Sequence, residues 1–456
     1  MGQLSIILIV GFLCLFTYEP PEDIGEINTT QTVFWNLIFT IGPILLAYFV
    51  TSVIPRILQS NKTFTESIFS HIRHFRFIFE VLCLGTYLCA LYQLDLPVYI
   101  HYWLSFFPFV ELRQSLGILP LIVSLIGVRL VFHNSNRSSE VRYSELLSFQ
   151  LKFLLLPLVP LLIYLTTLDI IVRLPEEIQL FLVKHPYLII GLLLPVLAGA
   201  YIFAPLLMRF MWKTVPLSND ILKEKLEKLT IKSKMKYRGI SVWKTGSLLI
   251  ANAAVAGTLK WNRRIFLTDT LLNYFTDDQI ETIVAHELGH IRYKHIPTYI
   301  LFSCLYLLSY PIFIILVENP ILQLLPLNIL EKYPFLSTIG SLLFFVLYFI
   351  FGFRYVSRRF EHQADLYAVS LTNKPDAFIA ALERLALFNS IPISVRRIFE
   401  LFNTHPSIYR RVEFIYRYLK GDTKTNRYQN YLIETKLLVI LLPIFCAAAL
   451  ILLFVF

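Results

Sequence analysis

Residues 276–317 read TDDQIETIVAHELGHIRYKHIPTYILFSCLYLLSYPIFIILV. The first half has the pattern of a polar helix, and the second half that of a membrane span. Thr276 with Gln279 three residues later has the form of a capping box, and Asp277 and Asp278 suit the positive end of the helix dipole. From Tyr299 to Val317 the chain is almost wholly apolar, near the ~20 residues that cross a bilayer. Inside the polar helix His286 and His290 are four residues apart, so both imidazoles sit on one face. Two such rings can hold one zinc ion, and Glu287, beside the first, can reach a zinc-bound water as its base.

Composition extends the membrane reading to the whole chain. Of 456 residues 56% are hydrophobic and only 16% charged, where a soluble domain carries about 25% charged residues. The mean hydropathy is +0.63. Nine apolar stretches stand out: Leu4–Phe16, Val33–Val53, Phe77–Leu94, Ile118–Phe132, Leu154–Ile171, Tyr187–Met208, Tyr299–Val317, Leu336–Phe353 and Leu437–Phe456. The first lacks a basic leader and a small-residue cleavage site, so it reads as an anchor.

Charge sets the expected orientation. With the N-terminus in the cytoplasm and nine crossings, the inside loops hold 36 Lys and Arg and the outside loops 4. The positive-inside bias and anionic lipids account for the formal net charge of +10. No basic run is interleaved with aromatics, so nucleic acid is not expected as a partner. The expected fold is an all-α polytopic membrane protein with a small α+β cytoplasmic zinc-peptidase subdomain.

The expected divisions are 1–215 as an N-terminal membrane region, 216–298 as the motif-bearing subdomain, 299–353 as a membrane hairpin, 354–435 as a second helical segment, and 436–456 as a last span. Residues 218–236 read as a basic amphipathic helix with Ile221, Leu222, Leu226, Leu229 and Ile231 on its apolar face. Strand-like runs follow at Gly239–Trp243, Leu248–Ala256 and Ile265–Thr268, with a turn at Asn262, Arg263 and Arg264. The five cysteines lie in apolar segments without a CxxC pair and read as small hydrophobes. Glu80 and Asp169 read as interfacial or lining acids rather than parts of a transport pathway.

A catalytic zinc needs a third protein ligand and an open position. A glycine and a histidine at fixed offsets after the motif would fall at Tyr293 and Ile296, which rules that pattern out. Glu318, a couple of dozen residues on, falls on the far side of the membrane in this topology. The two following spans contain no Asp. The segment after them reads Ser357-Arg358-Arg359-Phe360-Glu361-His362-Gln363-Ala364-Asp365, returned to the cytoplasmic face by the hairpin. Glu361 and Asp365 are again four apart. Glu361 can bind the metal, and Asp365 can accept an N–H from a ligand histidine.

At this point the sequence resembles the zinc CAAX prenyl proteases of membranes and their bacterial HtpX-type relatives. The resemblance rests on Asn252-Ala253, the run Arg263–Leu272, the motif 286–290, Arg359–Asp365, and Thr404-His405-Pro406 followed by Arg411. It implies that Glu361 completes a His286, His290, Glu361 zinc site with one ion per chain, and that Asp365 supports it. It further implies that Asn252 and Ala253 bind substrate as an added strand, that His405 polarises the scissile carbonyl or stabilises the oxyanion, and that Arg411 supports the site. Ala254 stands where the prenyl proteases often carry an aromatic residue. His295 and His362 receive no role.

The expected function is hydrolysis of peptide bonds in membrane proteins or lipid-modified, CAAX-like peptides at a cytoplasm-facing site. The membrane would be a cell inner membrane, or the endoplasmic reticulum in a eukaryote. The rival class is a transporter or channel with a structural zinc, which requires a fourth protein ligand and no edge strand.

Overall fold

The computed structural model describes residues 2–16, 18, 29–53, 62–135, 142–185, 188–189, 212–257, 263–332, 336–389, 391–401 and 403–422, with scattered positions in 191–199 and 432–448. Asn262 and most of the spans expected at 187–208 and 437–456 lie outside them. Four described helices are long and apolar enough to cross a bilayer: Thr30–Val53, Val110–His133, His295–Gln323 and Ile339–Thr372. Arg76–Gln93 and Leu96–Trp103, bent by 69°, would make a fifth span if taken together. The chain is a polytopic helical membrane protein with one small four-stranded sheet.

The chain divides into two compact units. The first comprises Met1–Ile189 and Leu322–Leu342. Its helices close on a core that includes Leu15, Leu91, Leu121 and Leu125. Glu80, fully buried, pairs with Arg129 at 2.8 Å, a charge whose burial demands such a partner. Asp169 accepts the backbone N–H groups of Glu111 and Leu112, each at 3.0 Å, at the start of the helix Val110–Ser115. Both acids thus have protein partners.

The second unit comprises Ile190–Ile321 and Leu343–Phe456 and holds the sheet. Strands β1 (Thr214–Pro216), β2 (Ile240–Trp243), β3 (Ala253–Ala256) and β4 (Arg264–Thr268) lie in the order β1-β2-β4-β3. β2 and β4 run parallel, while β1 and β3 run antiparallel to their neighbours. Ile240, Val242, Ala253, Val255, Ile265 and Leu267 alternate onto one face and join the helical core. β3 is an edge. It is shorter than the run Leu248–Ala256 suggests, because Gly246–Leu248 forms a 3-10 turn and Leu249 takes a left-handed conformation with φ 47°. That turn breaks the extended backbone.

The amphipathic helix is Asp220–Lys232, capped by Asn219. Its buried residues are Leu222, Leu226, Leu229 and Thr230, whereas Ile221 and Ile231 are 76% and 75% exposed. The packed stripe therefore holds three of the five expected residues. The i, i+4, i+7 pattern from Leu222 wins over the broader apolar count.

Candidate metal centre

The motif helix runs Asp277–Arg292. Its cap is the expected reciprocal one: Thr276 N donates to Gln279 Oε1 at 3.1 Å, and Gln279 N donates to Thr276 Oγ1 at 3.3 Å. Ile280, Ile283, Val284, Ala285 and Leu288 bury one face and fix the helix in the core. The opposing helix, Arg354–Thr372, buries Phe360, Ala364 and Ala368 completely. The two helices touch closely at Gly289, where an added Cβ would meet Ala364 Cα at 3.0 Å. That approach turns His286 and His290 toward Glu361 and Asp365.

The three ligand groups form a triangle. His286 Nε2 is 3.2 Å from His290 Nε2, and the two nitrogens lie 3.5 Å from Glu361 Oε2 and Oε1 respectively. Tetrahedral zinc with bonds near 2.0–2.1 Å separates its ligand atoms by about 3.3 Å. Glu361 Oε2 is buried and makes no hydrogen bond of good geometry. The residues present therefore fit a zinc ion, with one side of the triangle left for a fourth, non-protein position.

Electrostatics point the same way. Burial works against a charged His286, but Asp365 and Glu361 outweigh it and raise its pKa to about 9. His290 falls to about 4, because burial outweighs the pull of Glu361. Zinc binding would compete with the proton on His286. Glu287 is pushed up, first by burial, with His286 opposing. A raised carboxylate is a better base near neutral pH.

Asp365 is fully buried and accepts from His286 Nδ1 at 2.9 Å. It also receives Arg411 through Nε at 2.9 Å and Nη2 at 2.5 Å. The fork holds the carboxylate still, and the carboxylate fixes His286 with Nε2 free toward the triangle. Arg411 Nη1 lies 3.9 Å from Glu361 as well. His405 is exposed on its loop, with Nδ1 2.9 Å from Glu361 Oε2. All six predicted side chains with metal or proton chemistry, and Glu287 beside them, thus converge.

The loop bearing His405 is pinned by residues that sequence reasoning missed. Arg358 Nη1 donates to the carbonyls of Glu400, Leu401 and Asn403 at 3.3, 3.3 and 3.1 Å. Glu400, 2% exposed, accepts the Ser407 N–H at 2.6 Å and pairs with Arg410. No spacing rule connects positions 358 and 400. The arginine's place on the Glu361 helix was the one available signal. His295, assigned no role from sequence, lies 2.9 Å from His290 through the two Nδ1 atoms.

The edge strand borders the same centre. Thr268 N donates to Asn252 O at 3.0 Å, so Asn252 turns its backbone toward β4. Alternation in an antiparallel pair then turns the N–H and C=O of Ala253 and Val255 away from β4. The Val255 N–H is taken by the Glu287 carboxylate. The register thus turns both backbone groups of Ala253 toward the open edge. The side chain of Asn252 is exposed next to it.

Residues 216–418 match the model of peptidase family M48. The chain is 32% identical over 226 residues to a CAAX prenyl protease 1 homolog of Arabidopsis thaliana, covering 47% of this chain and 50% of that one. It is 30% identical over 182 residues to protease HtpX of Haemophilus ducreyi, covering 36% and 61%. The chain thus spans half to three fifths of the length of these relatives. A crystal structure of S. mikatae Ste24p aligns with 84% of this chain and 99% of that one at a TM-score of 0.53 and 21% identity, which shows a shared fold. Residues 216–418 thus match peptidase family M48, and over that region the chain is similar to the CAAX prenyl protease and HtpX relatives.

Proposed function

We propose that this chain is a zinc endopeptidase that cuts membrane proteins or lipid-bearing C-termini at a site facing the cytoplasm. The observation that carries the reading is the His286, His290, Glu361 triangle with Glu287 beside it and an open strand edge at Ala253. A structural zinc would need a fourth protein ligand, and among the described residues the metal-competent group has three.

When bound, zinc supplies Lewis acidity at the open position. The chain's own residues do the rest. An extended substrate adds to β3, its backbone pairing with the N–H and C=O of Ala253, so that many side chains are accepted. Asn252 reaches a further backbone group. Glu287 takes a proton from the attacking water and delivers it to the leaving amine. His405, whose ring lies beside Glu361, donates to the carbonyl oxygen as negative charge develops. Arg411 and Asp365 keep His286 in place throughout.

The apolar spans support this substrate class, because a chain anchored in a bilayer meets membrane-borne or lipidated substrates. The inside-to-outside split of 36 to 4 Lys and Arg supports the cytoplasmic side. The test is metal-dependent cleavage of a membrane peptide by the purified chain in detergent. Chelation should abolish cleavage and zinc should restore it; cleavage unaffected by complete zinc removal contradicts the proposal.

A further inference from the structure

His290 has a second ring nitrogen that faces away from the ligand triangle. Its Nδ1 lies 2.9 Å from Nδ1 of His295, whose Nε2 lies 2.9 Å from Oε1 of Gln363. We propose that His295 is the positioning residue of His290, with Gln363 fixing its tautomer; this rests on the zinc reading above.

The hydrogen bonds have one direction compatible with ligation. Gln363 Oε1 can only accept, so His295 donates through Nε2–H. Nδ1 of His295 is then bare and accepts, which puts the His290 proton on Nδ1. The Nε2 lone pair of His290 is left pointing at His286 and Glu361. Exchange the oxygen and nitrogen of the Gln363 amide and the chain inverts: the His290 proton moves to Nε2 and the ligand is lost. Gln363 is therefore as much a part of the device as the histidine.

Three further observations show that the position is built. His295 is fully buried. Its ring stacks on Phe360 at 4.1 Å and 5°, and Phe360 is the residue before Glu361. The chain reaches His295 through Lys294, whose φ of 57° is left-handed. That conformation is strained for a non-glycine residue and persists where the surroundings impose it. It ends the motif helix and starts the next one with His295 turned back under His290. A histidine on a solvated loop would need neither the strain nor the stack.

The two ligand histidines are thus held by different means. His286 leans on the Asp365 carboxylate, and His290 leans on an uncharged ring. The neutral partner orients without adding negative charge to the centre.

The test is zinc affinity of the full chain in detergent, measured by competition with a chromophoric chelator. His295→Phe keeps the ring and its stack but removes the acceptor. It should weaken zinc binding by about 10- to 100-fold. Gln363→Leu should do the same by freeing the tautomer, while Gln363→Glu, still an acceptor, should hold wild-type affinity. If His295→Phe does not fold, Gln363→Leu decides. Wild-type affinity in both His295→Phe and Gln363→Leu, with binding abolished in His286→Ala, overturns the proposal and leaves the zinc centre standing. A wild-type chain that takes up no zinc, or a His286→Ala chain that binds it undiminished, removes the zinc reading itself.

Discussion

Gly289 and Ala364 set the distance between the two helices that carry the metal-competent side chains. A methyl group on Gly289 would meet Ala364 at 3.0 Å from Cα and 3.3 Å from the carbonyl oxygen. Backbone atoms cannot swing aside as a long side chain can. Gly289→Ala should therefore force the helices apart and lower stability by about 1–3 kcal/mol, despite alanine's better helix propensity. Thermal unfolding and zinc content of the mutant check this together. An unchanged melting temperature at full zinc occupancy would show that the contact is slack.

Asp365 is held by both His286 and Arg411, so its charge matters as well as its shape. Asp365→Asn preserves the volume but removes the carboxylate and unpairs a buried guanidinium. Zinc affinity should fall about 10- to 100-fold. Chelator competition on the same detergent preparation measures the ratio. Equal affinities would reduce Asp365 to a packing residue.

At the strand edge, Ala253→Pro deletes a backbone N–H that the register turns outward, where the proposed substrate strand would pair. Cleavage should fall by at least about tenfold, the loss of a well-placed hydrogen bond of roughly 1.5 kcal/mol, while zinc stays bound. Turnover at a single substrate concentration below KM, with zinc content alongside, gives the answer. Normal turnover would send the substrate elsewhere.

How legible was this in the sequence? The capped motif helix was readable, because Thr276, Gln279 and the spacing of His286 and His290 each obey a local rule. The convergence of Glu361 on that motif needed the hairpin topology or the family resemblance, since no local rule links residues 290 and 361. β1 was missed, since three residues ending in a proline carry almost no pattern. Ile221 and Ile231 were misread because apolar count stood in for the packed stripe. His295 was passed over for a better reason. Its partner lies on the same chain five residues back, across a left-handed turn that helical periodicity does not foresee.

The cytoplasmic assignment stands on charge and is checked by labelling. Lys244 and Lys420 are both exposed. Lys244→Cys and Lys420→Cys should resist an impermeant thiol reagent in intact cells and react after permeabilisation. Labelling of both in intact cells would place the centre on the outer side.

Glu287 decides between a peptidase and a zinc-stapled scaffold, because a structural site does not need it. Glu287→Gln keeps the side chain's size and its acceptor for the Val255 N–H, but loses the basic carboxylate. General-base action contributes typically 10²–10⁴ in rate, so turnover of a membrane-peptide substrate should fall by at least about 100-fold. Zinc content, measured on the same preparation, should match wild type, since His286, His290 and Glu361 are untouched. Wild-type turnover by a fully zinc-loaded Glu287→Gln chain would contradict the assignment of the base, and with it the peptidase reading of this centre.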